Sequence, residues 1–181
     1  HEQPKAIKET MLSRISMDHG ITFDDFKLTK EELENYFLDH NDKKFRATQL
    51  FSWLYQKKVK SYAEITDIKK ETLSMLENDL PLKRVEKVNV ERDKDVNKYL
   101  FELSDKEHIE AVLMRHDYGN SICVSSQVGC NMGCKFCESG RRKKVRNLTA
   151  GEIVSQVLEV EEDINERITH VVLMGIGEPF D

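Results

Sequence analysis

Three cysteines stand close together in Cys130-Asn-Met-Gly-Cys134-Lys-Phe-Cys137, a CxxxCxxC spacing. Three thiolates on so short a loop can hold three irons of a [4Fe–4S] cube and leave the fourth iron open. An open iron is what separates a reactive cluster from an electron-transfer cluster closed by four cysteines. Gly129 and Gly133 let the loop curl through conformations closed to residues with a β-carbon, and Phe136 adds an apolar shield beside the cysteines. The spacing also admits a structural zinc site with Cys123 as fourth thiolate, although Cys123 lies outside the paired CxxC…CxxC arrangement of such sites. All four cysteines fall between Cys123 and Cys137. Disulfide scaffolds spread their bridges over a fold; a tight cluster points to ligation or redox chemistry in a reducing compartment, the cytoplasm.

Further along, Val171-Val-Leu-Met174 runs into Gly175-Ile-Gly-Glu-Pro179. Gly175 and Gly177 allow close backbone approach, and Glu178 offers acceptors for an ammonium group. Alone, this motif reads equally as an ordinary strand-ending turn. Arg141-Arg-Lys-Lys-Val-Arg146 places five basic side chains beside the cysteine loop. Such a run is either a solvated face or a phosphate contact. His108, His116 and His170 form no ligand spacing and are assigned no role.

These residues need elements to position them. Thr29-Lys-Glu-Glu32 is a capping box, followed by Leu33, Tyr36 and Phe37 at helical spacing. Ala47, Leu50, Phe51 and Leu54 make a second apolar stripe with Trp53 and Tyr55 beside it. A third helix is expected near Ile68 to Leu80, ended by Pro81. Beyond Leu82 the period shortens: Val85–Val90, Tyr99–Leu103, Ile109–Met114 and Ser121–Val124 read as strands. Thr149-Ala-Gly-Glu152 opens another helix, with Ile153, Val154, Val157, Leu158 and Ile164 inward, and Val171–Met174 reads as a buried strand. Strand, cysteine loop, helix and strand form a βαβ unit, the start of a parallel α/β sheet. The expected organisation is an N-terminal extension and small helical domain over 1–81, then an α/β domain over 82–181.

The chain has 181 residues, 39% hydrophobic and 34% charged, a soluble globular composition. No stretch approaches the ~18 apolar residues that span a bilayer, so no membrane partner is expected. The first residues lack the apolar run of a secretory signal. A net charge of −5 argues against a uniformly basic protein, yet leaves room for a local basic patch on nucleic acid.

Taken together, CVSSQVGCNMGCKFC, RNLTAGEIVSQVL and VVLMGIGEP, in that order, resemble the RlmN/Cfr family of radical-SAM RNA adenine methyltransferases. The resemblance runs from about Thr29 to the C-terminus and includes KFRATQLFSWLY. It implies a helical accessory RNA-binding domain, followed by short strands and the first βαβ part of a partial (β/α) radical-SAM barrel. It implies a [4Fe–4S] cluster on Cys130, Cys134 and Cys137, and S-adenosyl-L-methionine held at its methionine end by Gly177-Glu178-Pro179. Cys123 matches the family's resolving cysteine, and Glu110 its acidic residue near the target adenine. Apart from the resemblance, Cys123 reads as a buried strand cysteine and Glu110 as a solvent-facing carboxylate.

The activity implied is methylation of carbon 2 of a specific adenosine in 23S rRNA, of the dual-specificity RlmN type, with tRNA as a further substrate left open; carbon 8 is the alternative. A flipped adenosine is implied as well, as is an external electron donor such as flavodoxin or ferredoxin. The family's chains are about twice as long, and its methyl-carrying cysteine lies in the half beyond Asp181. The chain is therefore expected to be an N-terminal fragment, incomplete as an enzyme by itself. The reading from a different class is a catalytically inactive RNA-binding fragment holding a cluster or zinc structurally.

Overall fold

The computed structural model describes residues Thr29–Asp181; the expected extension before Thr29 lies outside them. The chain divides into two compact units between Lys83 and Arg84.

The first unit is helical: α1 (Lys30–Asp39), α2 (Phe45–Tyr55), a 3-10 turn (Tyr62–Glu64) and α3 (Lys70–Asp79). Thr29 caps α1, its hydroxyl accepting from Glu32 N at 3.2 Å while the Glu32 carboxylate accepts from Thr29 N at 2.6 Å. Two of the early N–H groups that a helix leaves without partners are thereby satisfied. Leu33 and Phe37 of α1, Ala47 and Leu50 of α2 and Leu76 of α3 close one core. Ile68 joins that core from the loop before α3, so the third helix begins two residues later than its apolar pattern predicts.

The second unit holds a five-stranded sheet of order β1-β2-β3-β4-β7. Its strands are β1 (Glu86–Arg92), β2 (Val96–Glu102), β3 (His108–His116), β4 (Gly119–Cys123) and β7 (Ile168–Val172). The first four pair antiparallel, and β7 lies parallel to β4. A parallel neighbour requires a crossover, supplied by α4 (Ala150–Ile164). Thr149 caps that helix through the predicted box with Glu152, and Asn165 ends it in the left-handed region at φ 51°. Between β4 and α4 lies the cysteine loop, flanked by the short antiparallel pair β5 (Gln127–Val128) and β6 (Arg146–Asn147).

Strand alternation sends Tyr99, Phe101, Ile109, Ala111, Leu113 and Ile122 into a core shared with Val160 and, at its margin, Ile153, Val157 and Ile164 of α4. The opposite face carries Lys98, Leu100, Glu110, Val112 and Cys123, and the helix α4 of this unit packs on the other side. Here the expectation of a buried strand at Val171–Met174 is corrected. The strand is Ile168–Val172, Val172 is 36% exposed and Met174 81%. One helix covers one face, so alternate residues of β7 have nothing to bury against. The architecture is mixed α/β, with the opening βαβ segment of a partial barrel.

Candidate functional site

β4 delivers the backbone of Val124–Gln127 alongside the glycine turn. Gly175 N donates to Val124 O at 3.0 Å, and Ser126 N and Gln127 N both donate to Ile176 O at 2.9 and 3.1 Å. Two side chains extend the ladder: Ile176 N donates to Ser125 Oγ at 3.1 Å and Glu178 N to Gln127 Oε1 at 3.0 Å. This closeness explains the glycines. A β-carbon on Gly175 would stand 2.7 Å from the Val124 carbonyl, and one on Gly177 (φ +109°) 2.6 Å from Gln127 Cβ. The Glu178 carboxylate accepts from Phe180 N at 3.1 Å, which orients it at the turn.

The cysteine loop leaves the same segment. Cys130 N donates to Arg142 O at 3.0 Å and Val145 N to Val128 O at 2.7 Å, so the loop returns beside its own start. Cys137 N donates to Cys134 O at 3.0 Å, a tight turn between two of the cysteines. All four cysteines are free thiols; Cys130 is buried, Cys134 exposed and Cys137 half-exposed. The Ser139 hydroxyl, followed by backbone N–H groups of Gly140 and Ser139, draws the Cys137 thiol below its usual range toward thiolate. Among the described residues no three Cys, His, Asp or Glu side chains converge to hold a single ion. A cube takes one thiolate per iron, so its donors need not meet at a point, and three reduced thiols on one loop fit it. Phe136, expected as an apolar shield, is 94% exposed.

Cys123 closes β4 on the face away from α4, opposite Val112 in β3 and Val172 in β7. Burial raises its thiol pKa, against a smaller opposing hydrogen bond from Met174 N–H. Glu110 lies two residues from Val112 on the same strand, so it is the diagonal neighbour of Cys123, at roughly 7–8 Å between backbones. Its carboxylate meets Lys98 Nζ at 2.8 Å. Glu110 and Cys123 thus share that face, and the strand carrying Cys123 leads into both the turn and the cysteine loop.

The basic run is less free than its sequence implies. Arg146 makes a two-pronged contact with Glu152, 2.8 Å on each prong, and reaches Asp105 at 2.7 Å. Arg142 pairs with Glu107, Lys144 with Asp181 at 3.0 Å and Arg141 with Glu138 at 3.1 Å. In the helical unit, Lys57 lies over the ring of Trp53, 3.1 Å from its centroid. Sequence reasoning passed over Ser125, Gln127 and Gln156. Their only signal is polarity in a run where apolar residues would otherwise be expected.

A helical unit followed by a sheet whose βαβ unit presents a CxxxCxxC loop and a glycine turn at its strand ends defines the front of a radical-SAM barrel. A solved radical SAM methyltransferase from Sphaerobacter thermophilus is similar, with a TM-score of 0.77 and 37% identity, over 84% of this chain and 46% of that one. The family model for the ribosomal RNA large subunit methyltransferase N-terminal domain matches residues 25–80. A probable dual-specificity RNA methyltransferase RlmN from Enterococcus faecalis is 52% identical over 162 residues, 86% of this chain and 45% of the relative. The proteins of the same description from Streptococcus thermophilus and Listeria monocytogenes are 49% and 48% identical, with 42% and 44% of their lengths covered. Over this span the chain is similar to the N-terminal half of these RlmN relatives. It spans somewhat under half the length of the curated relatives it matches.

Proposed function

We propose that this chain is the cofactor-binding half of a radical S-adenosylmethionine RNA methyltransferase acting on carbon 2 of an adenosine in 23S rRNA, and in tRNA as well. The observation that carries this reading is the shared backbone segment Val124–Gln127. It hydrogen-bonds the Gly175–Glu178 turn on one side and leads directly into Cys130, Cys134 and Cys137 on the other. A cofactor held at once by an open iron and by the turn needs such fixed mutual placement, because near-attack geometry tolerates little displacement.

In this reading Cys130, Cys134 and Cys137 hold a [4Fe–4S] cluster, which when bound supplies the electron for reductive cleavage of S-adenosylmethionine. Glu178, oriented by Phe180 N–H, accepts from the methionine ammonium, and Gly177 lets the ligand approach the backbone. Glu110, paired with the Lys98 ammonium, takes a proton at the adenine. Cys123, half-buried and held mostly as thiol by its surroundings, is reserved for resolving a covalent protein–RNA bond rather than for metal. The helical unit contacts RNA, the work takes place in the cytoplasm, and a flavodoxin or ferredoxin provides electrons. No helix among the described residues is long and apolar enough to cross a membrane.

The test is anaerobic reconstitution with iron and sulfide, followed by metal analysis and visible absorption. A brown protein with about four irons per chain is expected, lost in Cys134→Ala and kept in Cys123→Ala. Equal loss in both variants, or stoichiometric zinc that iron does not displace, overturns the assignment.

A further inference from the structure

Gln127 is a side-chain amide with only 1% of its surface exposed, in a short strand where an apolar residue would be cheaper to bury. A buried amide that finds no partners is costly. Here both ends are used: Oε1 accepts from Glu178 N at 3.0 Å, and Nε2 donates to Asn147 Oδ1 at 2.9 Å. Its own N–H donates to Ile176 O at 3.1 Å, and its β-carbon is what leaves Gly177 no room for a side chain. One residue therefore meets the turn at three points, three residues before Cys130.

The neighbouring polar residues are arranged to keep that strand still. Ser125 is fully buried, and its peptide is bracketed by the Gln156 amide of α4: Ser125 N donates to Gln156 Oε1 at 2.9 Å, and Gln156 Nε2 donates to Ser125 O at 3.1 Å. The Ser125 hydroxyl donates to Glu110 O at 2.6 Å while accepting from Ile176 N. Helix α4, strand β3 and the turn are thus all fastened to Val124–Gln127, and Gln127 is the last residue of that segment to hold the turn. Main-chain pairing alone ends at Ile176; beyond it, the side chain of Gln127 fixes the Glu178 amide.

We propose that Gln127 is a positioning residue for cofactor binding: its buried amide sets the placement of the Glu178 peptide relative to the cysteine loop, and so the fit of the methionine end of S-adenosylmethionine. This rests on the reading of Gly177–Pro179 as the cofactor turn. Gln127 itself touches no ligand in this scheme. With the amide removed, the Glu178 N–H loses its buried acceptor, and the turn spends only a fraction of its time in the competent placement. Apparent affinity falls by that fraction; one buried hydrogen bond corresponds to roughly a tenfold loss.

Two measurements on the whole chain decide it. Amide hydrogen exchange without ligand should show faster exchange at Ile176 and Glu178 in Gln127→Leu, with the strand β3 amides unchanged. Gln127→Glu keeps an acceptor for Glu178 N–H and should stay nearer the parent. On the reconstituted protein, S-adenosylmethionine binding, read from the change it causes in the cluster's electron paramagnetic resonance spectrum, should weaken about tenfold in Gln127→Leu at unchanged iron content. If Gln127→Leu does not fold, the same comparison is made with Gln127→Ala, which also lacks an acceptor for Glu178 N–H and should bind more weakly, against Gln127→Glu, which keeps one and should stay nearer the parent. Parent-like binding and exchange in Gln127→Leu and Gln127→Ala overturns the proposal, while a Glu178→Ala control that still loses binding leaves the cofactor turn standing. If neither the parent nor Glu178→Ala responds to S-adenosylmethionine, the reading of the turn fails and takes the proposal with it.

Discussion

Gly175 and Gly133 are both glycines at the candidate site, yet their surroundings assign them different work. At Gly133 (φ +64°) nothing lies within 4 Å of where a β-carbon would sit, whereas at Gly175 that atom would meet Val124 backbone at 2.7 Å. Gly133→Ala should therefore cost about 1 kcal/mol through the left-handed conformation alone. Gly175→Ala should push the turn off β4, at roughly 1–3 kcal/mol, as overpacking does. Hydrogen exchange separates the two: amides of Ile176 and Glu178 should exchange faster in Gly175→Ala and unchanged in Gly133→Ala. Similar turn exchange in both variants would falsify the steric account. At this scale the sequence displays local spacing directly, as in the CxxxCxxC loop and the glycine turn. It was silent on Ser125 and Gln127, because their meaning arises from partners some fifty residues away. It carries no record of the carboxylates that pair with Arg142, Lys144 and Arg146, namely Glu107, Asp181, Asp105 and Glu152, whose nearness only the fold creates.

Helix α4 is held to the sheet by a carboxylate as well as by its apolar face. Asp163, in its last turn, accepts from Lys87, from Arg92 at 2.7 Å and from Tyr99 Oη at 2.8 Å. Burial works to raise the Asp163 pKa, but these three donors outweigh it and hold the carboxyl at about 2. A folded-state pKa below the unfolded value near 3.8 means the contribution is complete above about pH 4 and lost as pH falls through 2. Its size is on the order of 2 kcal/mol. Asp163→Asn should lower the stability of the Arg84–Asp181 unit by about that amount at pH 7 and flatten its acid limb between pH 4 and pH 2. Urea titrations across that range, followed by exchange of β2 and β3 amides, measure it; a variant as acid-sensitive as the parent would exclude the role. The capping boxes at Thr29 and Thr149 were legible because both partners lie within four residues. The exposure of β7 was not, because a run of Val-Val-Leu-Met carries no record of which face a single helix covers.

Among the described residues, the buried apolar side chains form two hydrophobic cores with no residue in common. One is built from residues between Leu33 and Leu76, the other from residues between Val85 and Ile168. Each unit buries its own apolar side chains, which is what allows a segment to unfold as a unit. The chain's single tryptophan, Trp53, belongs to the helical unit, where its indole N–H donates to Asp67 at 2.6 Å. Its fluorescence therefore reports on that unit, while amide exchange in β3 reports on the sheet. Phe37 is fully buried in the helical core, and truncating a phenylalanine there removes about 3–5 kcal/mol. Phe37→Ala should accordingly shift the Trp53 fluorescence midpoint in urea to much lower concentration while β3 exchange stays as in the parent. Asp163→Asn should do the reverse, moving β3 exchange and leaving the fluorescence midpoint in place. If Phe37→Ala instead moves both probes together, the two cores unfold as one cooperative body. The cysteine site could then not be treated as the property of residues 84–181 alone, and cluster content would have to fall in Phe37→Ala as well. Iron content after reconstitution of that variant reads this directly, with unchanged content expected.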